Sequence, residues 1–150
     1  RQPWPEEAGG HDHDHDGDHQ HHDDPHFWSD PLTVAAMLPK IAEALQRLDP
    51  DGAAGYAAQA AAFEGELAAL HEEMTALTEP LRGAKVVTFH PSWNYFLYRY
   101  GIEPAGYIEP SAGKEVTPRD LQALIDRAKS EGVKAILTEP QLAPRPAHVV

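Results

Sequence analysis

The 150-residue sequence contains no cysteine. Disulfides and thiolate metal sites are both excluded, so any metal site must use imidazole and carboxylate ligands. The absence does not assign a compartment. There is no run of about 18 apolar residues, so no segment reads as inserted in a membrane. Basic residues are scarce: 12 Lys and Arg against 24 Asp and Glu give a formal net charge of -12 with His neutral. That argues against nucleic acid and anionic membrane surfaces as partners, and it suits a chain that attracts cations. The opening Arg1-Gln2-Pro3-Trp4 has no Met and no apolar stretch, so a secretory leader is expected to be absent, removed or upstream. No Gly-x-Ser-x-Gly, phosphate-binding glycine loop or His-Glu-x-x-His is found, and the chain reads as a non-enzyme.

What is there changes texture along the chain. Residues 11–24, HDHDHDGDHQHHDD, contain no apolar side chain and cannot offset the entropy of ordering by burial, so residues 1–25 read as a disordered loop or tail. Asp30-Pro31 suits an N-cap followed by the first helical position. The helix that follows has Val34, Leu38, Ile41, Leu45 and Leu48 on one face, with Pro39 inside the pattern expected to kink or split it. Asp49-Pro50-Asp51-Gly52 is a turn. A second helix is expected over Ala53–Leu77, where Tyr56, Ala60, Phe63, Leu67, Leu70, Met74 and Leu77 form one long buried stripe. At 1.5 Å per residue it would be roughly 35–40 Å long, a strut touching more than one body.

From residue 84 the pattern is α/β. Ala84–Phe89 reads as a strand, Ser92–Tyr100 as a short aromatic helix stopped by Gly101, and Ala105–Glu109 as a weak strand. Thr117-Pro118-Arg119-Asp120 opens a helix carrying Leu121, Leu124, Ile125 and Ala128, which Gly132 stops. Val133–Thr138 reads as a buried strand. The order β-α-β-α-β predicts a parallel sheet with right-handed crossovers. Four parts result: the 1–25 loop, residues 26–50, a linking helix over 51–80, and the start of an α/β unit over 84–150.

The residues able to carry chemistry are mostly histidines. His11, His13, His15, His19, His21 and His22 are interleaved with aspartates; neutral imidazoles suit zinc, copper and nickel, and a flexible tract can offer several low-affinity sites. The bland alternative is a solvated linker. His26, in Asp24-Pro25-His26-Phe27-Trp28, precedes a helix start between a tight turn and two aromatics, though a lone His beside aromatics is more often packed or merely exposed. His90 follows a strand and precedes a helix, where ligands bind in open parallel sheets; the alternative is a His bonded to the next loop. Glu109 and Glu139 also follow strands. Glu139 is a candidate for orienting an imidazole, whereas Glu109 reads better as a solvated carboxylate or cap. His71 reads as a surface or edge residue, and His148 has no readable context.

These pieces, in order, resemble the metal-binding solute receptors of ABC importers, the cluster A-I group for zinc and manganese. The motifs are the His/Asp loop, Asp24-Pro25-His26-Phe27-Trp28-Ser29-Asp30-Pro31, the Asp49-Pro50 turn and the Tyr56 helix. After them come Val86-Val87-Thr88-Phe89-His90-Pro91 with Tyr95-Phe96 and Tyr100-Gly101, Lys114-Glu115-Val116-Thr117-Pro118, and Ile136-Leu137-Thr138-Glu139-Pro140-Gln141. The resemblance covers nearly the whole chain from residue 11. It implies a two-lobed extracytoplasmic receptor, a monomer that passes Zn(II) to a membrane permease. It implies His26 as a metal ligand from the first lobe and His90 as one from the second. Manganese receptors tend to carry Glu at the second place, so His90 favours zinc, the softer donor being the reason. The family is about twice this length and takes further ligands from segments not seen here. The chain is therefore expected to be a central piece: the end of lobe one, the strut and the start of lobe two. Pro39 and Gln59 depart from the family's pattern without clear consequence.

Two other readings stand beside this one. The first is a metal-buffering or chaperone-like module acting through the tract alone. The second is a generic α/β enzyme or adaptor piece whose tract is incidental.

Overall fold

The computed structural model describes residues 24–110, 116–141 and 147–150. The tract of residues 11–22 and the pair Lys114-Glu115 lie outside them.

Helix α1 spans Pro31–Leu48. Asp30 caps it: the carboxylate accepts from Leu32 N–H at 3.1 Å and from the Thr33 hydroxyl at 2.7 Å, which satisfies an otherwise orphaned amide of the first turn. The helix runs through Pro39 as one element, so the expected kink or split does not break it. Pro39 removes one backbone donor, and its ring is exposed, while the flanking turns pack against the next helix. Asp49 then turns the chain, accepting from Gly52 N–H at 3.3 Å and from the Tyr56 hydroxyl at 2.9 Å. Helix α2 follows over Ala53–Thr78. At 1.5 Å per residue it is about 39 Å long, and with α1 it forms a helical hairpin.

The apolar faces of this hairpin are only partly covered. On α2 one seven-residue line is buried or half-buried (Ala60, Leu67, Met74) while the neighbouring line (Phe63, Leu70, Leu77) is 43%, 43% and 63% exposed. On α1 Leu38 and Ala42 are buried, but Ile41, Leu45 and Leu48 face out. The expected single buried stripe is thus half a stripe. Each helix of the hairpin buries mainly the side that faces the other.

The second half is a parallel three-stranded sheet in the order β2-β1-β3, with β1 Lys85–Thr88, β2 Glu103–Tyr107 and β3 Ala135–Leu137. Helix α3, Asn94–Tyr100, connects β1 to β2, and helix α4, Pro118–Glu131, connects β2 to β3. This is the predicted α/β order, with β2 starting two residues earlier than expected. The β1–β2 register slips between Val86 and Val87, because Ala105 is an extra residue between Pro104 and Gly106. Pro104 is tolerated because β2 is an edge strand. Strand β3 is the other edge and is half-buried or exposed, not the buried strand that its apolar run suggested.

Alternation along β1 sends side chains to two layers. Val87, Phe89, Ala105 and Ile108 pack with Leu124 and Ala128 of α4. Val86 joins Leu97 and Ile102 on the α3 side. Leu97, Ile108 and Val87 are essentially sealed, and each such side chain contributes about 1.5–3 kcal/mol of burial. Gly101 ends α3 at φ 68°, its N–H bonding the Leu97 and Tyr98 carbonyls; this left-handed stop favours glycine.

Candidate metal centre

The carboxyl end of the central strand positions His90. The fully buried Thr88 hydroxyl donates to the His90 carbonyl at 2.8 Å, and Ser92 N–H donates to the same oxygen at 2.9 Å. The backbone at His90 is extended, and Pro91–Trp93 form a single 3-10 turn leading into α3. The imidazole Nδ1 lies 2.6 Å from Glu139 Oε1. The two groups are in close contact without a hydrogen bond at Nδ1. Glu139 is itself held: Oε1 accepts the Ser92 hydroxyl at 2.9 Å and Oε2 accepts Gln141 Nε2 at 2.7 Å.

His26 is built from a different local structure and ends in the same arrangement. Asp24 Oδ1 accepts the backbone N–H of His26 at 3.0 Å and lies 2.7 Å from His26 Nδ1. This is an Asx-type turn, in which a short carboxylate bonds the backbone two residues on. The Phe27–Ser29 turn follows, with Ser29 N–H and hydroxyl both donating to the His26 carbonyl. Asp24 as the partner of His26 was not anticipated; an Asp-Pro-His spacing compatible with an Asx turn is the signal that could have found it.

The two histidines come together. Their ring centroids are 5.3 Å apart and the planes cross at 78°. Two imidazoles on one tetrahedral zinc, with Zn–N about 2.0–2.1 Å, have centroids about 5 Å apart. Each ring has a carboxylate at Nδ1, which leaves Nε2 as the remaining donor, the carboxylate–histidine arrangement that orients metal-ligating imidazoles. Trp28 stands edge-on to His26 at 5.4 Å and is 61% exposed.

The other candidates lie elsewhere. His71 sits on α2 against Tyr100, its Nδ1 3.4 Å from the hydroxyl, which agrees with an edge residue. Glu109 extends the sheet ladder through its N–H to Phe89 O at 2.7 Å. His148 is exposed. Among the described residues no group of three or more His, Asp and Glu is placed to hold one metal ion. His11, His13, His15, His19, His21 and His22 lie outside the described residues.

A parallel-sheet unit beside a long helical hairpin, with two histidines brought together, fits the α/β class of metal-binding solute receptors. The chain belongs to the ZnuA family, zinc-uptake complex component A, periplasmic, whose model matches residues 3–150. It is 42% identical over 124 residues to the high-affinity zinc uptake system protein ZnuA of Paracoccus denitrificans, covering 81% of this chain and 37% of that protein. Among solved structures it superposes on ZnuA with a TM-score of 0.75 at 34% identity, covering 83% of this chain and 48% of the other. A zinc-bound ZnuA deletion mutant matches at a TM-score of 0.72 and 34% identity, with coverages of 83% and 47%. The chain thus spans a little over a third of the Paracoccus protein and about half of the solved structures. The family is one of transport components. Among the described residues no helix is long and apolar enough to cross a membrane.

Proposed function

We propose that this chain forms part of an extracytoplasmic receptor that binds Zn(II) as cargo and delivers it, as a monomer, to the permease of an ABC-type importer. His26 and His90 supply two nitrogen donors through Nε2, while Asp24 and Glu139 hold the rings. One observation carries this reading: the 5.3 Å pairing of two imidazoles, each backed by a carboxylate within 2.7 Å of Nδ1. Nitrogen donors favour zinc over manganese, which prefers oxygen. Two imidazoles fill half of a tetrahedral shell, and the other positions take donors beyond the described residues. In this reading residues 26–50 close a first lobe, 51–80 link it to a second, and 84–150 begin the second. Residues 1–25 carry the tract, a low-affinity collector of the ion.

The test is zinc affinity of the full-length receptor, measured by chelator competition, with His26→Ala and His90→Ala. Each substitution should weaken binding by at least the 10- to 100-fold that follows loss of a mere outer-shell partner. Unchanged affinity in both would overturn the assignment. Deleting residues 11–22 should remove weak sites and leave the tight one.

A further inference from the structure

We propose that α3 acts as a jig for the metal pair, with Arg99 and Asn94 as positioning residues that hold His26 at its working distance from His90. This inference rests on the reading of His26 as a ligand.

The short segment 24–30 that carries His26 is fastened at both ends, and both fastenings are on α3. At one end Asp24 Oδ2 accepts Asn94 Nδ2 at 3.3 Å, and the Asp24 carbonyl accepts the Tyr95 hydroxyl at 3.4 Å. The amide of Asn94 is itself oriented, because Tyr107 of β2 donates its hydroxyl to Asn94 Oδ1 at 2.9 Å. The NH2 group therefore faces Asp24, whose other oxygen holds the His26 ring. At the far end Asp30 is 2% exposed. Arg99 grips both of its oxygens, with Nε at 3.0 and 3.1 Å and Nη2 at 2.6 Å. Two parallel N–H···O bonds fix orientation as well as distance.

His90 enters the same helix from its N-terminal side, four residues before Asn94, with its carbonyl locked by Thr88 and Ser92. The seven-residue helix that anchors the His26 segment thus begins four residues after His90. Arg99 touches neither ring, and nothing in α1 needs it for capping, since Leu32 N–H and Thr33 already complete that cap. Its geometric effect falls on the loop between Asp30 and Asp24.

The experiment is a double-mutant cycle on zinc affinity in the full-length receptor lacking residues 11–22, read by chelator competition. Arg99→Lys keeps the charge and loses the fork; it should weaken zinc about tenfold, the lower end for outer-shell partners of metal ligands, and Asn94→Ala should do likewise. Neither should weaken zinc further in a His26→Ala background, because each acts through His26. Wild-type affinity in Arg99→Lys, or an equal loss with His26 absent, overturns the proposal and leaves a merely structural ion pair. Should Arg99→Lys fail to fold, the same two criteria apply to Asn94→Ala. Wild-type affinity in His26→Ala alone would instead sink the ligand assignment, and the jig with it.

Discussion

Glu139 Oε1 lies 2.6 Å from His90 Nδ1 and accepts the Ser92 hydroxyl at 2.9 Å. A carboxylate so placed braces the ring from its Nδ1 side, as the outer-shell partners of metal-ligating imidazoles do. Glu139→Gln keeps the shape and removes the charge. Zinc affinity should fall about 10- to 100-fold, the range for such partners, with little change in thermal stability. Chelator competition beside a melting curve checks both halves.

Trp28 stands edge-on to His26, mostly in solvent. An ion bound by that imidazole alters the field around the indole, so zinc should change tryptophan emission with a one-to-one endpoint. Trp28→Phe should abolish the change. Trp93→Phe should keep it, since Trp93 packs against Val86, Leu97 and Ile102. A signal that survives Trp28→Phe would place the ion elsewhere.

Asp30 sets an acid limit on stability. Burial pushes its carboxyl up, but hydrogen bonds from Arg99, Thr33 and Leu32 and the Arg99 charge outweigh that and hold it below the ordinary range. A group depressed in the folded state contributes stability above its unfolded pKa, about 4, and loses it as pH falls through the lower folded value. The melting-temperature advantage over Asp30→Asn should therefore be constant above about pH 5 and shrink below about pH 4. A constant difference down to pH 2 would contradict the role of this ion pair.

Leu97 is 1% exposed in the layer between β1 and α3. Leu97→Ala removes most of a side chain from a packed site and should cost about 2–5 kcal/mol, read by denaturant unfolding. Because α3 carries the anchors of His26, zinc affinity should fall as well. A loss under 1 kcal/mol would mean that the layer repacks.

Much of this was legible in the sequence because it is local. Asp30-Pro31, Thr117-Pro118 and the glycines at 101 and 132 mark helix ends by backbone chemistry that needs no tertiary partner, and the structure has α1, α3 and α4 beginning or ending there. His26 and His90 stand out as candidate ligands by position, the first before a helix and the second at a strand end. What the sequence could not reveal was relational. Phe63, Leu70 and Leu77 are as apolar as Leu67 and Met74, and only the placement of neighbours decides which line is covered. Asp24 looked like one more carboxylate of an acidic tract until its turn closed on His26. Arg99 gave no signal, since its partner is 69 residues away.

On the proposed reading, with the His26 segment fastened to α3 and His90 set just ahead of that helix, the pair would be a half-site assembled during folding. The entropy of bringing two donors together would then be met before any ion arrives, so a first encounter would yield two bonds, a chelate effect. Release would then not need to pull these two rings apart: withdrawing the remaining donors would leave a shell with two vacancies, open to water or a competing acceptor.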